Sequence, residues 1–268
     1  MGSSVGRVQL DNIAVITGAS GGIGRSISRK LLDSGYDLIL IGRDLEKLDR
    51  FVGESLSGAS TRRIETHRCD VSQSAQVTAL MEDLHRRGLT LSVLVNAAGI
   101  SGGGITAAIG DALWQSVIAT NLNGTFFVTR EVLRLGLMGA GGRIINIAST
   151  GGKQGVIHGS PYCASKHGVV GFTKALGLEL ARSGAGITVN AVCPGFVETE
   201  MAERVRHHYA QLWGTDEAET RRRIEDRVPI GRYIEPEEVS AMVAYVASPL
   251  AGGVTAQALN ICGGLGNY

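Results

Sequence analysis

Cysteine, proline and aromatic residues are scarce in this sequence, and charge of neither sign is in excess. Its 268 residues include four cysteines, five prolines and 5% aromatic residues, with a formal net charge of +1. The cysteines lack the paired spacing of metal ligands or of a disulfide framework, standing at Cys69, Cys163, Cys193 and Cys262. We therefore expect no metal site, and the missing basic excess speaks against nucleic acid as a partner.

Long apolar runs are absent as well. No stretch of about 18 apolar residues occurs, so no transmembrane helix is expected, and residues 1–10 lack the apolar core of a signal peptide. We expect a cytoplasmic protein with reduced cysteines and no membrane partner. The 38 glycines follow no repeat, which excludes a collagen-like chain, and 44% hydrophobic residues suffice for a sizeable core.

Short β-branched apolar runs alternate with longer amphipathic segments along the chain. The predicted strands are 13–17, 37–41, 63–68, 91–95, 143–148, 187–192 and 256–261, and predicted helices include 22–34, 44–56, 73–87 and one that begins near Pro236. Strands that alternate with helices indicate βαβ units, whose parallel strands are covered on both faces. Right-handed crossovers then give a doubly wound sheet.

No linker-like stretch interrupts this alternation, so we predict one domain over residues 1–268. The predicted fold class is α/β, a single-domain Rossmann-type doubly wound parallel sheet with a helical lid insertion at about 199–227. This charged, helical segment separates the sixth strand from the helix near Pro236. Long insertions at the carboxyl edge of such sheets often cover ligands, which favours a lid, and an ordinary surface helix pair is the alternative.

A glycine-rich turn joins the first strand to the first helix. Its residues are Thr17-Gly18-Ala19-Ser20-Gly21-Gly22-Ile23-Gly24. The glycines permit a tight turn and a close approach of the backbone to a pyrophosphate at the positive end of the helix. Because the turn follows a strand and opens a helix at the head of a βαβ unit, it predicts a dinucleotide-binding site.

The end of the second strand indicates which dinucleotide is bound. An acidic residue there would hydrogen-bond the ribose 2′-hydroxyl of NAD, but Gly42 and Arg43 stand in its place. A guanidinium suits a 2′-phosphate, so NADP(H) is the predicted cofactor, and Asp44 is expected to cap the next helix. After the third strand, Asp70, followed by Val71, stands where a carboxylate can meet an adenine amino group, and capping of a turn is the alternative.

Tyr162 and Lys166 lie four residues apart, directly after Pro161, at the predicted start of a helix. That spacing places both side chains on one helical face. A tyrosine pKa is ordinarily about 10, and we expect the neighbouring ammonium and a cationic nicotinamide to lower the pKa of Tyr162. Such a pair is common by chance, so its significance depends on the polar residues that accompany it.

Polar residues at three other places accompany this pair. Ser149 ends a predicted strand, where its hydroxyl can hold a carbonyl oxygen. Asn121 lies inside a helical stretch, from which its side chain can reach a water molecule. Asn96-Ala97-Ala98-Gly99 ends the fourth strand, at the edge where open parallel sheets bind ligands.

Together these residues resemble the short-chain dehydrogenase/reductase family over nearly the whole chain. The similarity is carried by Thr17-Gly-x-x-x-Gly-x-Gly24, Asn96-Ala-Ala-Gly99, Asn121, Ser149, Tyr162-x-x-x-Lys166 and Pro194-Gly195. The resemblance implies a catalytic tetrad of Asn121, Ser149, Tyr162 and Lys166. It also implies that the nicotinamide side is lined by Pro194, Gly195, Val197 and Thr199, and that the protein is a homotetramer.

Longer strings are similar to ketoreductases of aromatic (type II) polyketide synthesis, of the actinorhodin and hedamycin type. These strings are 146–155, 162–180, 193–199 and the tail 256–268. The resemblance implies an NADPH-dependent reduction of one carbonyl, typically C9, of a poly-β-ketone. The partner it implies is the acyl carrier protein to which that substrate is tethered.

The same resemblance implies a set of substrate contacts. Those carried over at matching positions are Thr150, Gln154, Val156, Met201 and Tyr209. The group's usual Pro-Gly-Gly is replaced by Ser101-Gly102-Gly103. Because this tripeptide is associated with the way the polyketide lies in its pocket, the sequence leaves the handedness of the alcohol open.

Two other functions stay open at this point. One is a 3-oxoacyl carrier-protein reductase of the fatty-acid type, and the other is a non-catalytic regulator that binds a dinucleotide. The complete tetrad disfavours the regulator. His158 and His167 are expected to have ordinary structural roles. The three arginines at 221–223 either attract an acidic carrier protein or form a solvated helix face.

Overall fold

The computed structural model describes residues 12–56, 58 and 61–266. Residues 1–10, in which no signal peptide was predicted, and the last two residues of the tail lie outside this part. Its strands are β1 (Ile13–Thr17), β2 (Asp37–Gly42), β3 (Ile64–Arg68), β4 (Leu91–Asn96), β5 (Met138–Ile147), β6 (Thr188–Pro194) and β7 (Ala258–Ile261). All neighbours pair in parallel, in the order β3-β2-β1-β4-β5-β6-β7. The predicted doubly wound parallel sheet is confirmed.

Helices cover both faces of this sheet. They are α1 (Gly22–Asp33), α2 (Leu45–Ser55), α3 (Ser74–Arg86), α4 (Asp111–Ile118), α5 (Gly124–Arg134), α6 (Ser160–Arg182), α7 (Glu200–Trp213), α8 (Glu217–Glu225) and α9 (Pro236–Ala247). The core on one face joins side chains of α1, α2 and α9, and the core on the other joins those of α3, α5 and α6. In the described part of the chain, no helix is long and apolar enough to cross a membrane.

Strand β1 shows why the sequence favours this arrangement. In β1 every residue is buried, with Ala14 and Ile16 facing the α1 side and Ile13 and Val15 facing the α3 side. Alternate side chains of a strand point to opposite faces, so an unbroken apolar run suits only a strand that is covered twice. This pattern suits β1 to its position inside the sheet, between β2 and β4.

The binding edge of the sheet lies where the strand order reverses. From β1 the chain builds β2 and β3 on one side and then crosses to β4 on the other. The crevice between the carboxyl ends of β1 and β4 is the usual ligand site in such sheets. The Thr17 hydroxyl joins the two ends here, because its Oγ1 accepts the N–H groups of Ala97 at 3.1 Å and Ala98 at 3.2 Å.

Two strands begin at least two residues from their predicted positions, whereas the other strand boundaries lie within two residues of the prediction. β5 begins at Met138 rather than at residue 143, since the intervening glycines and Ala140 have low strand propensity and gave no strand signal. β7 begins two residues later than predicted, at Ala258, because Ala256 has a φ of +58°, which is not an extended conformation.

The segment predicted as a lid, residues 199–227, contains two helices. α7 is capped by Thr199, whose hydroxyl accepts the N–H of Ala202 at 3.3 Å, and ends at Gly214 with a φ of +63°. α8 is capped by Asp216, whose carboxylate accepts the N–H of Glu219 at 2.7 Å. Both helices pack around a small apolar cluster of their own that includes Tyr209, Ile224 and Tyr233.

Candidate active site

The glycine-rich turn forms one wall of a cleft of about 340 Å³ at the carboxyl ends of β1 and β4. Gly18 has a φ of +66°, and a Cβ atom there would lie 2.6 Å from the Cα of Ala98, so only glycine fits this turn. After Gly21, α1 begins without a side-chain cap. The first N–H groups of such a helix are left for a ligand, and they favour phosphate groups. The turn therefore fits a dinucleotide pyrophosphate.

Arg43 lines the same cleft, directly after β2. Its side chain is exposed there, and in the described part of the chain no carboxylate forms an ion pair with it. Asp44 caps α2 as predicted, because its carboxylate accepts the N–H of Lys47 at 2.9 Å. Arg43 is thus available for the 2′-phosphate that distinguishes NADP from NAD.

Asp70 lines the same cleft but is already engaged in a local turn. Its Oδ1 accepts hydrogen bonds from the N–H of Ser72 at 2.9 Å and from the Ser72 hydroxyl at 2.7 Å. The predicted turn capping is therefore seen for one oxygen of the Asp70 carboxylate, Oδ1. A contact of the same carboxylate with adenine stays a prediction.

Most of the predicted cofactor residues lie together in this cleft. They are Gly18, Ser20, Gly21, Gly22, Ile23, Gly24, Arg43, Asp70, Val71, Gly99, Tyr162, Lys166 and Thr199. Pro194, Gly195 and Val197 line the adjoining cavity instead, on the far side of Tyr162. Their positions agree with a nicotinamide side and an adenosine side of one bound dinucleotide.

Asn96 is not brought to either cavity. Its side chain is buried below the cleft, where Nδ2 donates hydrogen bonds to Thr129 Oγ1 at 2.9 Å and to Asn146 Oδ1 at 2.8 Å. These bonds join β4 to β5 and α5. The predicted contact of Asn96 with the cofactor is therefore not seen for its side chain, whose interactions support the sheet.

Tyr162, Lys166 and Ser149 meet where the cleft joins the second cavity. Tyr162 and Lys166 stand on one face of α6, with the Lys166 Nζ 5.8 Å from the centre of the tyrosine ring. That Nζ donates a hydrogen bond to the carbonyl of Ile147 at 2.8 Å. Ser149 follows β5, and its Oγ accepts the N–H of Gly151 at 3.0 Å, which fixes the hydroxyl beside Tyr162.

The electrostatics of this group differ from the sequence prediction. Burial raises the pKa of Tyr162 above its ordinary value, and the hydrogen bond with Ser149 opposes that increase. Burial also lowers the pKa of Lys166, to about 8. The expected lowering of the tyrosine pKa by Lys166 is therefore wrong for the protein alone, because withdrawal from water disfavours both charged forms.

Asn121 lies in a π-helical turn, Ala119–Asn123, between α4 and α5. Its Oδ1 accepts the N–H of Ile100 at 2.8 Å, and its Nδ2 donates to the Ile100 carbonyl and to Ser165 Oγ, both at 3.0 Å. The side chain is 1% exposed, and its hydrogen bonds hold the turn against the segment after β4. The expectation that Asn121 reaches a water molecule stays a prediction.

A second cavity, of about 390 Å³, adjoins the cleft and is largely apolar. Every residue predicted to contact substrate lines it: Ser101, Gly102, Gly103, Thr150, Gln154, Val156, Met201 and Tyr209. The cavity and the cleft share Tyr162 and Thr199 in their walls. A hydride donor in the cleft and an acceptor in the cavity would therefore meet beside the tyrosine hydroxyl.

Several residues of this cavity were missed in the sequence. They are Leu113, Phe196, Arg204, Val205, His208, Arg227 and Leu265. Phe196 stands between two predicted cofactor contacts, which is a usable signal. Val205 and His208 recur with Met201 and Tyr209 at helical spacing, so the face of α7 was predictable once one member was known. Leu113 and Leu265 carry no such signal.

The histidines and the arginine cluster have local partners. His158 has a φ of +60°, lines the cavity, and accepts the N–H of Gly104 on its carbonyl at 2.7 Å. His167 Nδ1 lies 2.9 Å from the carbonyl of Cys163. Each of the three arginines at 221–223 forms an ion pair with a nearby glutamate. The first pairs with residues 198 and 225, and the other two pair with residue 219. These pairs favour the interpretation as a solvated helix face.

Comparison with known proteins gives one family and several close relatives. A family model described as short chain dehydrogenase matches residues 12–210. "Granaticin polyketide synthase putative ketoacyl reductase 1" of Streptomyces violaceoruber is 58% identical over 258 residues, which are 96% of this chain and 93% of that protein. A 3-oxoacyl-[acyl-carrier-protein] reductase of Aquifex aeolicus is 30% identical over 253 residues, covering 94% of this chain and 96% of that protein.

Among solved structures, a variant of the actinorhodin polyketide ketoreductase with NADPH is similar along nearly the whole chain. The two share 52% sequence identity with a TM-score of 0.89, over 96% of this chain and 97% of the other. That protein was crystallised with NADPH, the cofactor expected for the cleft described above.

Proposed function

The chain belongs to the short chain dehydrogenase family, and on that premise we propose that it reduces a carbonyl of a poly-β-ketone with NADPH in aromatic polyketide synthesis. The membership confirms the family expected from the motifs. The chain is an NADP-dependent oxidoreductase of this family. The observation that carries the proposal is the position of Tyr162, which stands in the walls of both the cofactor cleft and an apolar cavity of about 390 Å³.

Tyr162 is the proton donor of the proposed reaction. NADPH, when bound, supplies the hydride that reduces the ketone carbon. Tyr162 then gives its proton to the oxygen, on which negative charge develops, and its raised pKa keeps the phenol protonated before that step. Ser149, held by the N–H of Gly151, hydrogen-bonds the same substrate oxygen and stabilises its charge.

Lys166 and Asn121 support the tyrosine from the cofactor side. With its Nζ anchored on Ile147, Lys166 is placed to hold the nicotinamide ribose and to return a proton to Tyr162. The Asn121 amide is engaged with Ile100 and with Ser165 of α6, so it holds the helix that carries Tyr162 and Lys166 to the segment after β4.

The substrate class is supported by the size and the walls of the cavity. Its volume of about 390 Å³ lies within the range of drug-sized ligand sites, and it is lined mainly by apolar groups with a few polar ones, such as Thr150 and Gln154. Such walls suit a folded or partly cyclised polyketone better than a short acyl chain. Reduction at C9 is proposed from the resemblance of the longer sequence strings.

The proposal includes a carrier protein, a homotetramer and a cytoplasmic location. In the described residues all four cysteines are free thiols, which suits a reducing compartment. The three arginines at 221–223 are paired with glutamates, so they are poor candidates for the carrier-protein contact. Exposed apolar side chains on α5 and α6, Phe126 and Leu178, are candidates for subunit contacts.

A second candidate is reduction of linear 3-oxoacyl thioesters, as in fatty-acid synthesis. It is favoured by the identity of 30% to the Aquifex aeolicus reductase, whose name describes that activity. A regulator without activity is disfavoured, because a protein that only binds a dinucleotide does not need Ser149, Tyr162 and Lys166 in one group.

One assay separates these functions. NADPH oxidation is followed with trans-1-decalone and, in parallel, with an acetoacetyl thioester, and each reaction is repeated with NADH. Preferred turnover of the bicyclic ketone with NADPH supports the polyketide assignment. Preference for the linear thioester moves the chain to fatty-acid-type reduction, and absence of turnover with both substrates revives the regulator. Product analysis after reconstitution with a polyketide synthase then identifies the reduced carbon.

A further inference from the structure

An ion cluster lies behind α7, on the side away from the substrate cavity. Glu198 is its centre, because Oε1 accepts a hydrogen bond from Arg206 Nη1 on α7 at 2.7 Å, and Oε2 lies 3.0 Å from Arg221 Nη2 on α8. One carboxylate therefore joins both helices of the lid segment to the chain between β6 and α7. The Arg206 side chain is 10% exposed and that of Glu198 is 29% exposed, so the pair is partly shielded from water.

Tyr233 completes the cluster. The guanidinium carbons of Arg206 and Arg221 lie 5.2 Å and 5.3 Å from the centre of its ring. Both arginines therefore make cation–π contacts with one buried aromatic ring. Planar guanidinium groups can stack and bind a carboxylate at the same time, which an ammonium does less well. The orientation of the two helices is therefore tied to Glu198 and Tyr233.

The base of this cluster is rigid. The N–H of Glu198 donates to the carbonyl of Ile234 at 2.9 Å, and the N–H of Ile234 donates to the carbonyl of Phe196 at 2.8 Å. Glu198 also stands between Val197 and Thr199, both of which line the active site. The backbone that carries this carboxylate is thus paired with residue 234 and adjoins two residues of the active site.

The two faces of α7 have different tasks. Met201, Val205, His208 and Tyr209 line the substrate cavity, whereas Arg206 turns to Glu198. Rotation or displacement of α7 would move this cavity wall, and the contact of Arg206 with Glu198 adds a charged link to the apolar packing that holds the helix. We propose that Glu198 is a positioning residue, which sets α7 as the wall that binds the ketone through Arg206 and Arg221.

This inference rests on the proposed function, since it places the ketone in that cavity, but it has a structural readout of its own. Trp213, at the end of α7, stacks on Tyr209 with ring centres 4.8 Å apart. The chain has two tryptophans, so Trp114→Phe, on exposed α4, leaves Trp213 as the single reporter of α7. Its quenching by acrylamide measures how firmly this end of the helix is packed.

The test compares Glu198→Gln with Glu225→Gln in the Trp114→Phe background. Glu225 pairs with Arg221 at 2.8 Å but leaves Glu198 and Arg206 in place, so it is the matched control. For Glu198→Gln we expect a ketone KM raised by roughly tenfold, equal to about 1.4 kcal/mol of binding free energy, with stronger quenching of Trp213. The Kd for NADPH and the control variant should stay within about twofold of the parent.

Arg206→Lys is the second variant, in case Glu198→Gln folds poorly. Lysine keeps the positive charge but lacks the planar guanidinium that stacks on Tyr233 and binds the carboxylate. The same rise in ketone KM is therefore expected. Unchanged ketone KM and quenching in both variants would overturn the proposal, as would a rise in the NADPH Kd equal to that in ketone KM. If the parent reduces no ketone, the proposed function fails, and Trp213 quenching alone then decides whether Glu198 positions α7.

Discussion

The Nζ of Lys166 lies 2.8 Å from the carbonyl oxygen of Ile147, so this amine is held by the end of β5 inside the protein. The side chain of Lys166 is almost entirely removed from water. Burial disfavours the charged form and lowers the pKa of Lys166 to about 8. The amine therefore titrates near the working range of an enzyme, which a surface lysine does not do.

This titration predicts a pH-dependent stability for the protein without cofactor. Between about pH 8 and about pH 10 the unfolded chain keeps the Lys166 proton and the folded chain has lost it, so the free energy of unfolding rises with pH. Below pH 8 both states are protonated and the full cost of burying the charge remains. Lys166→Met lacks this titration. Urea unfolding at both ends of the window should show the wild type gaining stability relative to Lys166→Met, and a constant difference would contradict the lowered pKa.

Removal of the Tyr162 hydroxyl should abolish most of the activity. General acid catalysis contributes about 10²–10⁴-fold, so Tyr162→Phe should lose that factor in kcat for trans-1-decalone. The NADPH Kd, measured by cofactor fluorescence, should change little, because the ring that lines the cleft remains. Tyr245→Phe, on the exposed face of α9, is the matched control. Near wild-type turnover in Tyr162→Phe would remove the tyrosine from the mechanism.

Replacement of Arg43 should weaken NADPH selectively. A charge-assisted hydrogen bond contributes about 1.5–3 kcal/mol, so Arg43→Ser should raise the KM for NADPH by roughly 10- to 100-fold. The KM for NADH, which lacks the 2′-phosphate, should change little. Arg50→Ser removes an exposed arginine of α2 outside the cleft and should affect neither cofactor. Equal losses for NADPH and NADH would place the 2′-phosphate elsewhere.

The glycine at 103 should be required for ketone binding. A Cβ atom at Gly103 would overlap the carbonyl oxygen of His158, which is backbone and accepts the N–H of Gly104. Gly103→Ala must therefore displace the loops of residues 101–104 and 156–159, both of which border the cavity. We expect about a tenfold rise in ketone KM and a changed ratio of alcohol enantiomers, with the NADPH Kd unaltered.

Gly110→Ala is the control for this substitution, because a Cβ atom there has no atom within 4 Å. It precedes α4 and should leave ketone KM, NADPH Kd and enantiomer ratio as they are. If Gly103→Ala matches Gly110→Ala in all three measurements, the Ser101-Gly102-Gly103 segment does not shape the substrate site.

Much of the fold was predictable because its signals are local. The apolar run of β1 predicts a strand covered on both faces, and Asp44 predicts the beginning of α2 from its capping chemistry. The glycine-rich turn marks the cofactor end of the sheet, since its conformation depends mainly on its own backbone. The spacing of Tyr162 and Lys166 likewise fixes their common helical face.

The sequence by itself therefore determined the sheet and the glycine-rich turn, and it predicted the reacting side chains. Only the tertiary structure decided which groups the polar side chains contact. Asn96 bonds Thr129 of α5, the Asn121 amide bonds Ile100, and Glu198 joins both helices of residues 199–227. In the protein without cofactor, burial also raises the pKa of Tyr162. Backbone preference and periodicity act within a few residues, whereas burial and hydrogen-bond partners come from distant segments that meet only when the chain is folded.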